Sequence, residues 1–282
     1  VPCGTRLGFI KNGICQELGI EPMEVIAVAG HDTQSALAAV PARDKDFIFI
    51  SCGTWSLFGT ELDEPVINGL SERLNITNEG GCQGKISFLK NIIGLWLIQE
   101  SRRQWIREGK EYSFGHLEQM AADAKPFKAL IDPDAPEFVP AGNIPERIRR
   151  YCRESGQRVP ENEAEIVRCI DESLAFKYRM TLEEIKMCTG REYPAIHMVG
   201  GGTQSGLLCQ MTANACHCPV IAGPVEATVL GNAAVQLLAA GELRDLDQVR
   251  SVAGASAKVS IYEPKDTDQW EQVYGQYKKM LE

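Results

Sequence analysis

The chain reads Ile196-His197-Met198-Val199-Gly200-Gly201-Gly202, then a helical stretch, then Pro219-Val220-Ile221-Ala222-Gly223-Pro224. Each apolar run is too short for a helix and is closed by glycine, the pattern of a buried strand that ends in a turn. Leu207, Leu208 and Met211 supply an apolar face for a helix from about Gln204 to Cys216. A second helix is expected from about Glu226 to Ala240, closed by Gly241. The order strand, glycine, helix, strand, helix describes an α/β unit with a parallel strand pair.

Working outward, the longest predicted helix runs from about Asn162 to Thr189, with Ile166, Ile170, Leu174, Tyr178, Leu182 and Ile185 on one face. Gly190 stands where a C-terminal cap belongs. A final helix carries Trp270, Val273, Tyr274, Tyr277 and Leu281 as a docking stripe. Phe47–Ser51 and Trp55–Thr60 read as a hairpin turning at Gly53-Thr54. Ile86–Leu89 reads as a short strand, and Asn91 as the residue before an amphipathic helix bearing Leu95, Trp96, Ile98 and Trp105. A shorter helix is expected near His116–Lys125. Pro133, Pro136, Pro140 and Pro145 mark residues 131–145 as a surface excursion.

Composition narrows the function. The 282 residues are 44% hydrophobic and 24% charged, with a net charge of −9, an ordinary globular balance without the basic face that phosphate-backbone binding needs. No apolar run reaches membrane-spanning length. Ten scattered cysteines are too few for a disulfide scaffold, and a cytoplasmic protein with free thiols is expected. Cys216-His217-Cys218 fits no standard zinc spacing, and no metal ligands are assigned. A Cys152–Cys169 pairing needs distances to judge. The opening Val1-Pro2-Cys3-Gly4 reads as the interior of a longer chain, a trimmed terminus being the alternative.

Three glycine-bearing turns follow predicted strands, at Gly30, Gly53 and Gly200–Gly202. The triple glycine opens a helix, so its N–H groups can meet an anion or simply make a tight turn. It lacks the ending of a Walker loop and the spacing of a dinucleotide fingerprint. Val25–Ala29 reads as a buried strand leading to Gly30-His31-Asp32-Thr33. Asp32 at that strand's end is a candidate base for a substrate hydroxyl, or a helix cap. Thr54 bonds a phosphate or satisfies its turn, Asn91 bonds a sugar or caps its helix, and Gln99 reaches a ligand or water.

These segments line up with a known family. Ala29-Gly30-His31-Asp32-Thr33, Ser51-Cys52-Gly53-Thr54-Trp55-Ser56, Val199-Gly200-Gly201-Gly202 and Ile221–Thr228 resemble the C-terminal half of the FGGY carbohydrate kinases over residues 25–240. Asn75-Ile76-Thr77-Asn78-Glu79-Gly80-Gly81 and the run Leu89–Gln99 resemble one branch, whose substrate is L-rhamnulose. The resemblance implies an α/β, actin-like ATPase (ribonuclease H-like) fold, with residues 25–282 the nucleotide-facing domain of a two-domain sugar kinase. Residues 1–24 are then the end of the preceding N-terminal domain. It implies transfer of the ATP γ-phosphoryl group, with Mg²⁺, to the 1-hydroxyl of the ketose. Asp32 then matches the base, and His31, Thr33 and Asn91 match sugar-contacting positions. Thr54, Gln99 and Gly200, Gly201 and Gly202 match nucleotide-contacting ones. L-Fuculose and L-xylulose are the alternative sugars, and a nucleotide-binding module without sugar chemistry is the alternative class. The N-terminal domain is an expected partner, without which the chain would transfer phosphate poorly.

Overall fold

A computed structural model describes residues 1–282. In chain order the elements are β1 (Arg6–Phe9), α1 (Asn12–Leu18), β2 (Glu24–Ile26), α2 (Asp32–Ala38), β3 (Ile48–Cys52), β4 (Trp55–Leu62), α3 (Gly69–Arg73), β5 (Thr77–Gly80) and β6 (Ile86–Ile93). Then come α4 (Trp96–Arg107), α5 (Phe114–Asp123), α6 (Ile144–Glu154), α7 (Glu163–Thr189), β7 (Ile196–Val199), α8 (Gly206–Cys216) and β8 (Val220–Ala222). The chain closes with α9 (Ala227–Ala240), α10 (Leu246–Ser256), β9 (Ser260–Tyr262) and α11 (Thr267–Leu281).

A seven-stranded sheet has the order β5-β6-β4-β3-β7-β8-β9. The parallel pairs are β3 with β7 and β7 with β8; the flanking strands run antiparallel. Helices cover both faces, as strands apolar on both sides require. Ile48, Ile50, Phe58, Phe88, Ile196 and Met198 face α7 and α8 in the larger core. Phe49, Leu57, Leu89 and Val199 meet Ala36, Leu37, Ala227 and Ala253 of α2, α9 and α10, with Val40 just past α2, on the opposite face.

Capping explains the long helix. Asn162 accepts the Glu165 N–H at its start, and Gly190 adopts a left-handed φ of 66° at its end. The aromatic stripe of α11 docks as expected: Trp270, Tyr274 and Tyr277 are buried with Phe176 of α7 and Met211 of α8. The α10 helix is tied to the sheet by Arg250, which donates to both carboxylate oxygens of Glu61 at 3.0 and 2.9 Å and lies over the Phe47 ring. No helix is long and apolar enough to cross a membrane.

Four local expectations are corrected. Val25–Ala29 is not a buried strand: Glu24–Ile26 pairs only with β1 in a separate two-stranded sheet, and Val25 is 38% exposed. That sheet straddles the expected 24/25 boundary. Asn91 caps no helix, because β6 continues through it, pairing Asn91 with Leu57 and Ile93 with Trp55. A full antiparallel ladder outweighs the local capping preference of one residue. Residues 131–145 are packed, not an excursion. Ile131 and Phe138 are fully buried, and Asp132 and Asp134 hold Lys177 of α7 at 2.9 and 3.0 Å. Lastly, His31 and not Asp32 caps α2, its Nδ1 accepting the Thr33 N–H at 3.1 Å.

Candidate active site

Parallel strands present their C-terminal ends at one edge of the sheet, the usual place for a ligand. Here β3 ends at Gly53-Thr54, β7 at Gly200–Gly202 and β8 at Gly223-Pro224. The second and third of these turns are joined through their backbones. The Gly200 N–H donates to the Pro224 carbonyl at 3.0 Å, and the Gly223 N–H to the Met198 carbonyl at 2.8 Å. Glycine is required at Gly200 and Gly202. Gly200 has a φ of 88°, and a Cβ on Gly202 would lie 2.1 Å from the Cys52 sulfur.

The start of α4 is bound to the same edge. Leu95 N–H donates to the Gly53 carbonyl at 3.0 Å, and Trp96 N–H to the Thr54 carbonyl at 3.1 Å. A Cβ on Gly94 would meet the Ser56 hydroxyl at 2.5 Å, so the chain passes there only as glycine. The Thr54 hydroxyl donates to Gln99 Oε1 at 3.2 Å, one turn into α4. Thus Thr54, Gln99 and the triple glycine, separated by up to half the sequence, share one rim.

Behind this rim lies a cavity of about 440 Å³. Gly201, Gly202, Gln204 and Ser205 form one wall, Leu95 and Gln99 another, and Phe114, Leu117 and Glu118 of α5 a third. Its size and mixed lining suit a small organic ligand. Glu118 accepts the Leu207 N–H at 2.7 Å, which fixes α5 to the start of α8.

Asp32 lies in the first turn of α2 and is exposed. With the cap filled by His31, its carboxylate is released from the capping role. The Asp32 carbonyl accepts the Thr228 hydroxyl at 3.4 Å, from the first turn of α9 just after the Gly223-Pro224 turn. The helix carrying Asp32 is therefore linked, through α9 and Pro224, to the triple glycine.

A second tie holds α2 to the β5–β6 strands. Gln34, 2% exposed, donates to Glu79 Oε2 at 2.9 Å and accepts the Ser87 hydroxyl at 2.6 Å. Ser87, Leu89 and Asn91 alternate along β6, so exposed Asn91 lies on the face that α2 covers. Thr33, in the first turn of α2, is 5% exposed. The Gln34 clamp, Thr228 and Glu118 escaped the sequence reading. The signal for Gln34 was its place two residues past Asp32, before a run of small residues.

Of the cysteines, Cys152 and Cys169 are both buried free thiols. His217 lies 3.4 Å from Arg179 and 3.6 Å from Glu271, so its ring serves a surface charge cluster.

A mixed sheet clad on both faces, with glycine turns at one edge and a carboxylate on the adjoining helix, has the fold of the C-terminal half of an actin-like sugar kinase. Residues 48–240 match the family described as FGGY family of carbohydrate kinases, C-terminal domain. The chain belongs to that family. Its relatives include proteins named rhamnulokinase. That of Bacteroides thetaiotaomicron is 43% identical over 278 residues, which is 99% of this chain and 56% of the relative. Those of Enterococcus faecalis and Bacillus subtilis are 39% and 37% identical over 94% of this chain and 53% and 54% of the relatives. The chain spans about half the length of the curated relatives it matches. Among solved structures, the ligand-bound xylulose kinase from Lactobacillus acidophilus superposes with a TM-score of 0.71 at 17% identity, covering 99% of this chain and 56% of that one. Plasmodium falciparum glycerol kinase with ADP gives 0.67 at 16%, covering 99% and 54%.

Proposed function

We propose that the protein containing this chain transfers the γ-phosphoryl group of ATP to the 1-hydroxyl of L-rhamnulose. The observation that carries this reading is the set of rhamnulokinase relatives at 37–43% identity across nearly the whole chain. Residues 25–282 are the nucleotide-facing domain, and residues 1–24 the end of the N-terminal domain that completes the cleft. A cytoplasmic location follows from the need for ATP.

In this reading Asp32 accepts the proton of the sugar hydroxyl as its oxygen attacks the γ-phosphorus. His31, Thr33 and Asn91 hold the sugar. The Nδ1 of His31 is occupied by the Thr33 N–H, which leaves the opposite ring nitrogen for a sugar hydroxyl. Buried Thr33 contributes by fixing that turn. Thr54, Gln99 and Gly200, Gly201 and Gly202 take the nucleotide, the glycine N–H groups meeting phosphate and the cavity behind them taking the base. The chain brings together no group of three or more His, Cys, Asp or Glu side chains that would hold an ion. Mg²⁺ is read as arriving with the phosphates, as part of the substrate.

The test is a panel of ketoses offered to the full-length protein with Mg·ATP. L-Rhamnulose is expected to give the highest kcat/KM, by at least tenfold over L-fuculose and L-xylulose. A higher value for either of those would replace the sugar, and the absence of phosphoryl transfer to any ketose would replace the class.

A further inference from the structure

One polar group in the cavity wall is left unpaired. Asp171 of α7 is 2% exposed, lines the cavity behind the triple glycine, and its Oδ1 has no hydrogen-bond partner within the chain. A buried carboxyl left unpartnered is costly, and native structures rarely keep one without a use. Its surroundings do not neutralise it with a cation. Burial, then Glu118 of α5 and Glu172 of α7, push its pKa up to about 8, against a weaker pull from Arg168. Arg168 itself is engaged by Glu172 at 2.6 Å. The remaining titratable neighbours are the Cys52 and Cys209 thiols and the Tyr178 phenol, all of them buried. At neutral pH Asp171 is thus a carboxylic acid, with one donor and one acceptor side by side.

The rest of the cavity says what such a group meets. Leu95, Ile98, Phe114 and Val167 give apolar surface, and Glu118 is already committed to the Leu207 N–H. An apolar slot with one neutral donor–acceptor pair suits a flat heterocycle that presents an acceptor nitrogen beside an amino group. We infer that Asp171 reads the adenine of the bound nucleotide, its O–H donating to a ring nitrogen and its carbonyl oxygen accepting from the 6-amino group. This rests on the ATP reading above and extends it by naming the residue that recognises the base.

The test is equilibrium binding to the full-length protein of ATP and of purine riboside triphosphate, which lacks the 6-amino group, for wild type, Asp171→Leu and Asp171→Asn. Thermal unfolding is followed in parallel. Removing the 6-amino group is expected to weaken binding to wild type roughly tenfold or more. Asp171→Leu weakens ATP by a similar factor and makes the two nucleotides equivalent. Asp171→Asn, whose amide keeps one donor and one acceptor, retains ATP affinity within about threefold. Wild-type affinity falls as pH rises past 8, while that of Asp171→Asn stays level. Should Asp171→Leu fail to fold, the Asn variant and the pH series decide. Equal losses on 6-amino removal in wild type and Asp171→Leu, or parallel pH profiles in wild type and Asp171→Asn, overturn the role of Asp171 alone. Wild type that binds neither nucleotide overturns the ATP reading, and this inference with it.

Discussion

Adding one methyl group where α9 crosses α2 should cost more catalysis than stability. A Cβ on Gly231 would lie 1.8 Å from the Ser35 carbonyl oxygen, 2.7 Å from its carbonyl carbon and 3.5 Å from the Ala39 Cβ. Carbon and carbonyl oxygen normally approach to about 3.3 Å, so Gly231→Ala must part the two helices by roughly 1.5 Å. Two stability effects oppose each other. Alanine in a helix interior gains about 1 kcal/mol over glycine, and overpacking costs about 1–3 kcal/mol. The net loss is then at most about 2 kcal/mol, and the protein stays folded. The site is less forgiving, because the displaced segment of α2 begins three residues after Asp32. A misplacement near 1 Å costs on the order of a hundredfold in rate, about 2.7 kcal/mol of barrier. Thr54, Gln99 and Gly201 do not ride on α2, so the KM for ATP should move less than about threefold. The assay is coupled detection of ADP release by the full-length protein, with urea unfolding alongside. Gly275→Ala is the control: it lies inside α11 with nothing within 4 Å of a new Cβ. It should be neutral in kcat and more stable by up to about 1 kcal/mol. A folded Gly231→Ala protein with wild-type kcat would refute the argument that the α2–α9 crossing sets the position of Asp32.

Two further outcomes follow from buried polar groups. Gln34→Leu strands the Ser87 hydroxyl and the Glu79 carboxylate, and should lower stability by about 2–4 kcal/mol, read from the urea midpoint; a loss under about 0.5 kcal/mol would show the clamp to be idle. The second concerns pH. Asp171, raised by burial and nearby carboxylates from 3.8 to about 8, binds its proton more tightly folded than unfolded. Its contribution is complete below 3.8 and is lost as pH rises from there to 8, at about 1.4 kcal/mol per pH unit within that window. Glu172, raised by burial to about 7, acts in the same direction, and buried His197, lowered to about 4, acts oppositely below its ordinary 6.5. Asp171→Asn should therefore unfold at a higher temperature than wild type at pH 8, with the gap narrowing steadily toward pH 4; a constant gap contradicts the assignment.

What the sequence disclosed and what it hid divide along physical lines. The β7–β8 unit and α7 were legible because glycine and Asn162 punctuate apolar runs whose period is unmistakable. From the residues alone, Thr54, Gln99 and the triple glycine were legible as chemistry but not as one rim. Asn91 was misplaced because the strand reading stopped at Leu89, whereas β6 runs on to Ile93 through pairing with β4. Val25–Ala29 has a core strand's composition without a core strand's neighbours, since β1 alone pairs with it. The β9 strand is three residues long and exists through its pairing with β8. Asp171 left a trace, a carboxylate between Ile170 and Leu174 on the apolar arc of α7, but its meaning needed the cavity that α5, α7 and the triple glycine enclose.

Asp32 is the proposed proton acceptor for the sugar hydroxyl. Asp32→Asn in the full-length protein, measured for L-rhamnulose phosphorylation and for ATP binding together, tests it most directly. A fall in kcat of about 10²–10⁴-fold, with ATP affinity held within threefold, is the expected result. Turnover above about a tenth of wild type, or an equal loss of ATP binding, would contradict it.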